Sequence, residues 1–298
     1  MKSITPPASI GFVGLGNMGY PMARRLAQAG YKLTVADLNA EALKKFCADT
    51  GSSAAANLRQ LGAASDVVIT MLPEGKAVRK VLMGDEGIAS GLKPGALVID
   101  MSSSSPVGTR ELSQELDKLG FKLIDAPVSG GVVKAIDGKL AIMAGGDKDS
   151  IEACRPVFDV MGKMFITGGS ASGHAMKAMN NFLSAATLAI TSEAVLTGQK
   201  FGLDPAVMVD IINASTGRSN SSEHKFPTFI LPRTFDSGFY LGLMAKDLRF
   251  AKELADSMET PHELLNVISS MWDKAEAKLG FNADNTDVHR YLESLIGE

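Results

Sequence analysis

Over residues 1–170, short apolar runs alternate with stretches whose apolar positions recur every three or four residues. Residues 10–13, 33–36, 67–70, 97–100, 122–125 and 140–143 read as strands, and 165–167 is a candidate for one more. These runs are almost continuously apolar rather than alternating, as strands covered on both faces are. Between them, residues 18–29, 40–49, 75–82 and 106–119 read as helices. Strand–helix alternation of this kind predicts an α/β domain built on a parallel, doubly wound sheet.

Beyond the turn cluster at residues 168–173 the pattern changes, and no convincing strand follows. Residues 174–199 contain no proline, and their one glycine is Gly198. They predict a helix of about 25 residues, roughly 38 Å long. Later helices are expected at 205–214, 243–256, 263–279 and 286–295. Asp204 is placed to cap the first of these, with Pro205 at its first position, and Thr286 to cap the last. The expected organisation is therefore a first domain over 1–170 and an all-helical second domain over 171–298, joined by the long helix.

Composition narrows the function classes. The chain has 298 residues, 45% hydrophobic and 21% charged, with a net charge of −3. That balance lacks the concentrated basic surface of a nucleic-acid binder. No apolar stretch approaches the roughly 18 residues of a membrane span. The N-terminal stretch reads as neither a secretory nor a mitochondrial leader, and two cysteines, Cys47 and Cys154, make no disulfide framework. A cytoplasmic setting is the expectation. The four histidines show no ligand spacing, so no metal site is expected.

Glycine, 30 residues, is the unusual component. Gly14-Leu15-Gly16-Asn17-Met18-Gly19 follows the first strand and opens the first helix. A bare GxGxxG is weak, but its context matters. Gly14 would make the tight turn, Gly16 let backbone approach a pyrophosphate, and Gly19 let the helix pack on the sheet. The helix N-terminus adds N–H groups and partial positive charge. Together these features predict a Rossmann-type dinucleotide site. Asp37 ends the second strand, where a carboxylate accepts from both ribose hydroxyls, although it could instead cap the next helix. Leu38 and Asn39 offer no arginine for a 2′-phosphate, which favours NAD over NADP.

These residues carry a resemblance. Phe12-Val-Gly-Leu-Gly-Asn-Met-Gly-Tyr-Pro-Met-Ala23 resembles the opening signature of the β-hydroxyacid dehydrogenases, the 3-hydroxyisobutyrate dehydrogenase family. Asp125-Ala-Pro-Val-Ser-Gly-Gly131 is similar to the family's substrate-binding segment. Gly173-His-Ala-Met-Lys-Ala-Met-Asn-Asn181 resembles its catalytic motif, and Lys246-Asp247-Leu248 its Lys-Asp-Leu. The resemblance assigns substrate carboxylate binding to Ser129, Gly130 and Gly131, a turn able to converge N–H groups on an anion. It makes Lys177 the general acid/base, with Asn181, four residues on and on the same helical face, orienting the reacting oxygen. An apolar setting among Met176, Ala178 and Met179 would disfavour the ammonium of Lys177. Asn180 is expected to be structural.

The resemblance further implies that Met71, Leu72 and Pro73 line the cofactor groove and that Ser103 lies beside the nicotinamide, though four consecutive serines leave that register open by one. Lys246 is implied on the cofactor side and Asp247 near substrate or as its ion-pair partner. Arg218, in the polar stretch 217–222, could meet a second anionic or hydroxylated end of the substrate, or simply be solvated.

The expected function is NAD-dependent oxidation of a small β-hydroxy acid to its semialdehyde. In reverse the site would be a semialdehyde reductase, such as a tartronate semialdehyde (2-hydroxy-3-oxopropionate) reductase. A decarboxylating 6-phosphogluconate-type enzyme would carry a larger helical region. Imine reductases usually lack the lysine, and a nucleotide sensor would not need every catalytic position filled. The apolar-rich long helix suggests a homodimer or homotetramer.

Overall fold

In a computed structural model, which describes residues 2–297, the first half of the chain forms one sheet. Its strands are β1 (Ser9–Val13), β2 (Lys32–Ala36), β3 (Ser53–Ala54), β4 (Val67–Thr70), β5 (Leu97–Asp100), β6 (Lys122–Asp125), β7 (Val128–Ser129), β8 (Leu140–Gly145) and β9 (Gly162–Gly168). The helices between them are α1 (Gly19–Gln28), α2 (Ala40–Thr50), α3 (Leu58–Ala64), α4 (Gly75–Met83), α5 (Pro106–Lys118), α6 (Gly131–Asp137), α7 (Lys148–Ala153) and α8 (Arg155–Met161). Strand order is β3-β2-β1-β4-β5-β6-β8-β7, with β9 beside β8.

The continuous apolar runs have a direct physical cause. Ile69, Ile99 and Ile124 pack on one face with Phe12, Met22 and Phe158. Their immediate neighbours Val68, Val98 and Leu123 pack on the other with Leu61, Leu82 and Leu116. Each strand thus buries both faces, which is the doubly wound arrangement.

The sheet is parallel from β3 through β6. At its far edge β8 runs antiparallel to β6 and β7, and β9 runs alongside β8 in the same direction. The reason is loop length: only the short α6 link separates β7 from β8, too little chain for a crossover. Strand order reverses between β1 and β4, so their carboxyl ends form the switch point where open α/β sheets bind ligands.

The chain divides into two compact units within a single helix, one ending at Lys177 and the other starting at Ala178. That helix, α9 (Ser172–Phe201), runs 30 residues. The second unit continues with α10 (Pro205–Asn213), a π-helical segment Ser221–Ile230, α11 (Leu241–Ser257), α12 (Glu263–Leu279), a 3-10 turn Asn285–Asp287 and α13 (Val288–Glu293). Trp272, Phe226, Leu188, Leu248 and Val288 centre its core.

Asp204 caps α10 as expected, accepting from the Ala206 amide at 2.8 Å. Thr286 does not cap: Asp284 accepts both its amide, at 2.9 Å, and its hydroxyl, at 2.5 Å. A carboxylate that receives both groups of Thr286 starts the chain as a 3-10 turn before α13. The polar stretch 217–222 is also only partly a loop, since the π-helical segment begins at Ser221. Among the described residues no helix is long and apolar enough to cross a membrane.

Candidate active site

The glycine loop leaves β1 at the switch point. Gly14 has φ 101°, and an added Cβ there would meet the Met71 carbonyl oxygen. A Cβ on Gly19 would overlap the Gly14 carbonyl oxygen. The fold itself therefore requires both glycines. Gly16 is different: it is exposed, and no atom lies within 4 Å of where its Cβ would be. Protein packing does not demand glycine there. The space a Cβ would fill is the room a pyrophosphate needs, so the loop fits a dinucleotide. Exposed Asn17 and half-buried Met18 complete the turn into α1.

Asp37 is tied to this loop. Its Oδ2 accepts the buried Leu15 amide at 2.6 Å and its Oδ1 the Asn39 amide at 2.7 Å. Each carboxylate oxygen retains acceptor capacity for a hydroxyl. The alternative of Asp37 as helix cap is set aside, because Asn39 caps α2 by accepting the Glu41 and Ala42 amides at 3.1 Å. Leu38 is fully exposed beside it.

At the ends of β4 and β5, Met71 donates its amide to Val13 O at 2.9 Å, and Leu72 donates its amide to Ser102 Oγ at 2.9 Å. Pro73 is exposed. The four serines separate by partner. Ser102 and Ser104 are buried and both bonded to Asp100, by amide at 3.0 Å and hydroxyl at 2.9 Å respectively. Ser105 caps α5 through the Gly108 amide. Ser103 lies half-buried between Ser102 and Ser104.

The β6–β7 region meets the start of α9. Asp125, 1% exposed, accepts the amides of Ala171 and His174 at 2.8 Å. Burial pushes its carboxyl above the usual range, opposed by His174. Gly130 and Gly131 take φ of 135° and 70° in the turn that opens α6, with Ser129 half-buried before them. One turn into α9, the Lys177 amine is buried and donates to Val128 O at 2.9 Å, one residue before Ser129.

In the second unit, Asn181 Nδ2 donates to Asp247 Oδ2 at 2.6 Å. Asp247 is 2% exposed, its Oδ1 makes no hydrogen bond, and the Lys246 amine stands 3.6 Å from that oxygen. Asn180 donates to Asn181 Oδ1 at 3.2 Å, a supporting contact. Arg218 is mostly exposed and ion-paired with Glu223 at 2.8 Å.

Sequence reasoning missed the groups behind these residues. His174 is buried with Nδ1 2.9 Å from Thr109 Oγ1 and Nε2 3.0 Å from Ser102 O. The carboxylates of Asp100 and Asp125 flank it at 3.7 and 3.8 Å. The available signal was positional: each aspartate ends a buried strand at the carboxyl edge of the sheet. Among the described residues no cluster suited to a metal ion occurs.

Two family models cover the chain: the NAD binding domain of 6-phosphogluconate dehydrogenase over residues 9–169, and the NAD-binding region of NADP-dependent 3-hydroxyisobutyrate dehydrogenase over 171–292. Mitochondrial 3-hydroxyisobutyrate dehydrogenase of Mus musculus is 35% identical over 98% of this chain and 89% of its own. The 2-(hydroxymethyl)glutarate dehydrogenase of Eubacterium barkeri is 35% identical over 97% of this chain and 96% of its own. The solved Mycobacterium tuberculosis 3-hydroxyisobutyrate dehydrogenase with L-serine superposes with a TM-score of 0.89 at 31% identity, covering 96% of this chain and 99% of that one. With a Rossmann-type unit that fits a dinucleotide and a helical half matched in turn, this chain belongs to the 3-hydroxyisobutyrate dehydrogenase family of NAD(P)-binding oxidoreductases.

Proposed function

We propose that this protein oxidises a small β-hydroxy acid to its semialdehyde with NAD. The observation that carries the reading is the buried Lys177 amine, 2.9 Å from Val128 O and next to the Ser129–Gly131 turn, in the unit that also bears the glycine loop. When bound, the nicotinamide dinucleotide supplies the hydride chemistry. The Gly14–Gly19 loop and Asp37 hold its pyrophosphate and ribose, and Met71, Leu72, Pro73, Ser103 and Lys246 border it. The Ser129, Gly130 and Gly131 turn receives the substrate carboxylate. Lys177 takes the hydroxyl proton during oxidation and returns it to the carbonyl oxygen during reduction, so no metal is required for that proton. Asn181 orients the same oxygen and is itself fixed by Asp247.

NAD is preferred because Asp37 sets a negative charge where a 2′-phosphate would sit, and fully exposed Leu38 offers nothing to neutralise it. The reverse reaction, semialdehyde reduction, uses the same groups. The name of the Eubacterium barkeri relative carries a second carboxylate on the hydroxy acid, which sets the span of substrates worth assaying. Met176, Leu183 and Ile190 are exposed at seven-residue intervals along α9, an apolar stripe that supports a homodimer or homotetramer.

The test is turnover followed at 340 nm with NAD and with NADP across 3-hydroxyisobutyrate, glycerate, threonate, 3-hydroxybutyrate and 2-(hydroxymethyl)glutarate. Lys177→Met is expected to lower kcat by at least about a hundredfold while NADH still binds. Full turnover in that variant would overturn the mechanism, and silence across the panel would overturn the activity.

A further inference from the structure

The π-helical segment Ser221–Ile230 has no part in the roles above, and π turns are concentrated at functional sites. It carries Lys225, whose Nζ donates to Ser184 Oγ on α9 at 3.3 Å and to Asn285 Oδ1 at 3.0 Å. Both acceptors are neutral. An ammonium has three N–H donors, so one remains beyond these two.

The charges nearby are committed elsewhere. Asp284 is the carboxylate whose charge acts on the amine, and its oxygens accept from the Ser237 hydroxyl, the Gly238 amide and both groups of Thr286. Asp287 of the same turn pairs with Arg290, and Glu223 of the π-helical segment pairs with Arg218. Burial outweighs Asp284 and brings the amine down to about 8. A cation held among neutral partners is costly unless a ligand completes its shell.

Ser184 follows Asn181 by three residues and Lys177 by seven. At that spacing the three side chains project from one face of α9. We propose that Lys225, held by Ser184 and Asn285, is the subsite for a second acidic group of the substrate, so that the preferred substrate is a β-hydroxy acid bearing a further carboxylate or sulfonate. This rests on the dehydrogenase reading and gives Lys225 the part that the sequence suggested for Arg218.

The experiment is equilibrium binding by calorimetry of 2-(hydroxymethyl)glutarate and of 3-hydroxyisobutyrate to the NADH-loaded protein, alongside turnover of both. Wild type is expected to bind the diacid more tightly, and Lys225→Met to lower the diacid-to-monoacid affinity ratio about tenfold or more, as for a lost hydrogen bond to a charged group. In wild type alone the ratio should fall as pH rises through about 8, because the amine loses its charge there. Equal binding of both acids, or an unchanged ratio in both the variant and the pH series, overturns the subsite. Selective diacid binding without reduction of NAD or NADP overturns the dehydrogenase reading and leaves the subsite standing.

Discussion

Gly16 and Gly19 stand three residues apart in one loop, yet the same substitution should affect them in opposite ways. A Cβ on Gly19 overlaps the Gly14 carbonyl oxygen, so Gly19→Ala must push α1 off the sheet and should cost about 1–3 kcal/mol. A Cβ on Gly16 meets nothing within 4 Å, so Gly16→Ala should leave the free energy of urea unfolding within about 0.5 kcal/mol of wild type. It should nonetheless weaken NADH binding, read by nucleotide fluorescence, by about tenfold or more, because the methyl takes the space of the pyrophosphate. Normal NADH affinity in Gly16→Ala would remove the phosphate role from this loop.

The start of α9 depends on three other elements. Asp125 at the end of β6 accepts two of its first amides, which a helix leaves without intrahelical partners. His174 ties the same turn to Thr109 on α5 and to Ser102 after β5, between two buried carboxylates. His174→Ala removes both bonds and leaves Asp100 and Asp125 facing each other across a cavity. A loss of about 2–4 kcal/mol in urea unfolding is expected, typical of breaking a buried polar network. Stability equal to wild type would show that α9 is anchored elsewhere.

Elements of this kind mark what could be read from sequence. The long strands and helices were legible because burial on both faces writes an unbroken apolar run, and burial on one face writes a helical period. β3, β7 and α6 were not, being too short to carry a period. The glycine loop was legible as a local motif, whereas Asp125 and His174 act through partners 46 to 72 residues away, which no local pattern records. The Arg218–Glu223 ion pair was not legible, because the two residues meet only once the chain after Ser221 winds into a helix. Lys225 carried no signal in the sequence, since its burial comes from α9 and the turn at Asn285.

Across the whole chain, the two units should respond oppositely to alkaline pH. In the first unit burial raises the Cys154 thiol and the Tyr31 hydroxyl to about 12 each. A folded state that favours the protonated form is fully stabilised below the unfolded value, 9.0 for the thiol, and loses that stability as pH rises toward 12. In the second unit the Lys225 amine titrates near 8 instead of 10.5. The folded state there disfavours the ammonium, so the penalty is complete below about 8 and fades as pH climbs to 10.5. Between pH 9 and 10.5 the first unit should weaken while the second gains. The chain supplies its own reporters: its one tryptophan, Trp272, is buried in the second unit, and both cysteines lie in the first. Urea unfolding followed by Trp272 emission should shift to higher midpoint over this range, and unfolding followed by pulsed thiol labelling should shift to lower. Lys225→Met should abolish the rise in the Trp272 midpoint and Cys154→Ala should reduce the fall in the other, the remaining Cys47 serving as its thiol. Midpoints that move together in wild type, or a Trp272 rise that survives Lys225→Met, would refute the opposed titrations and with them the burial of a charged amine beside Ser184.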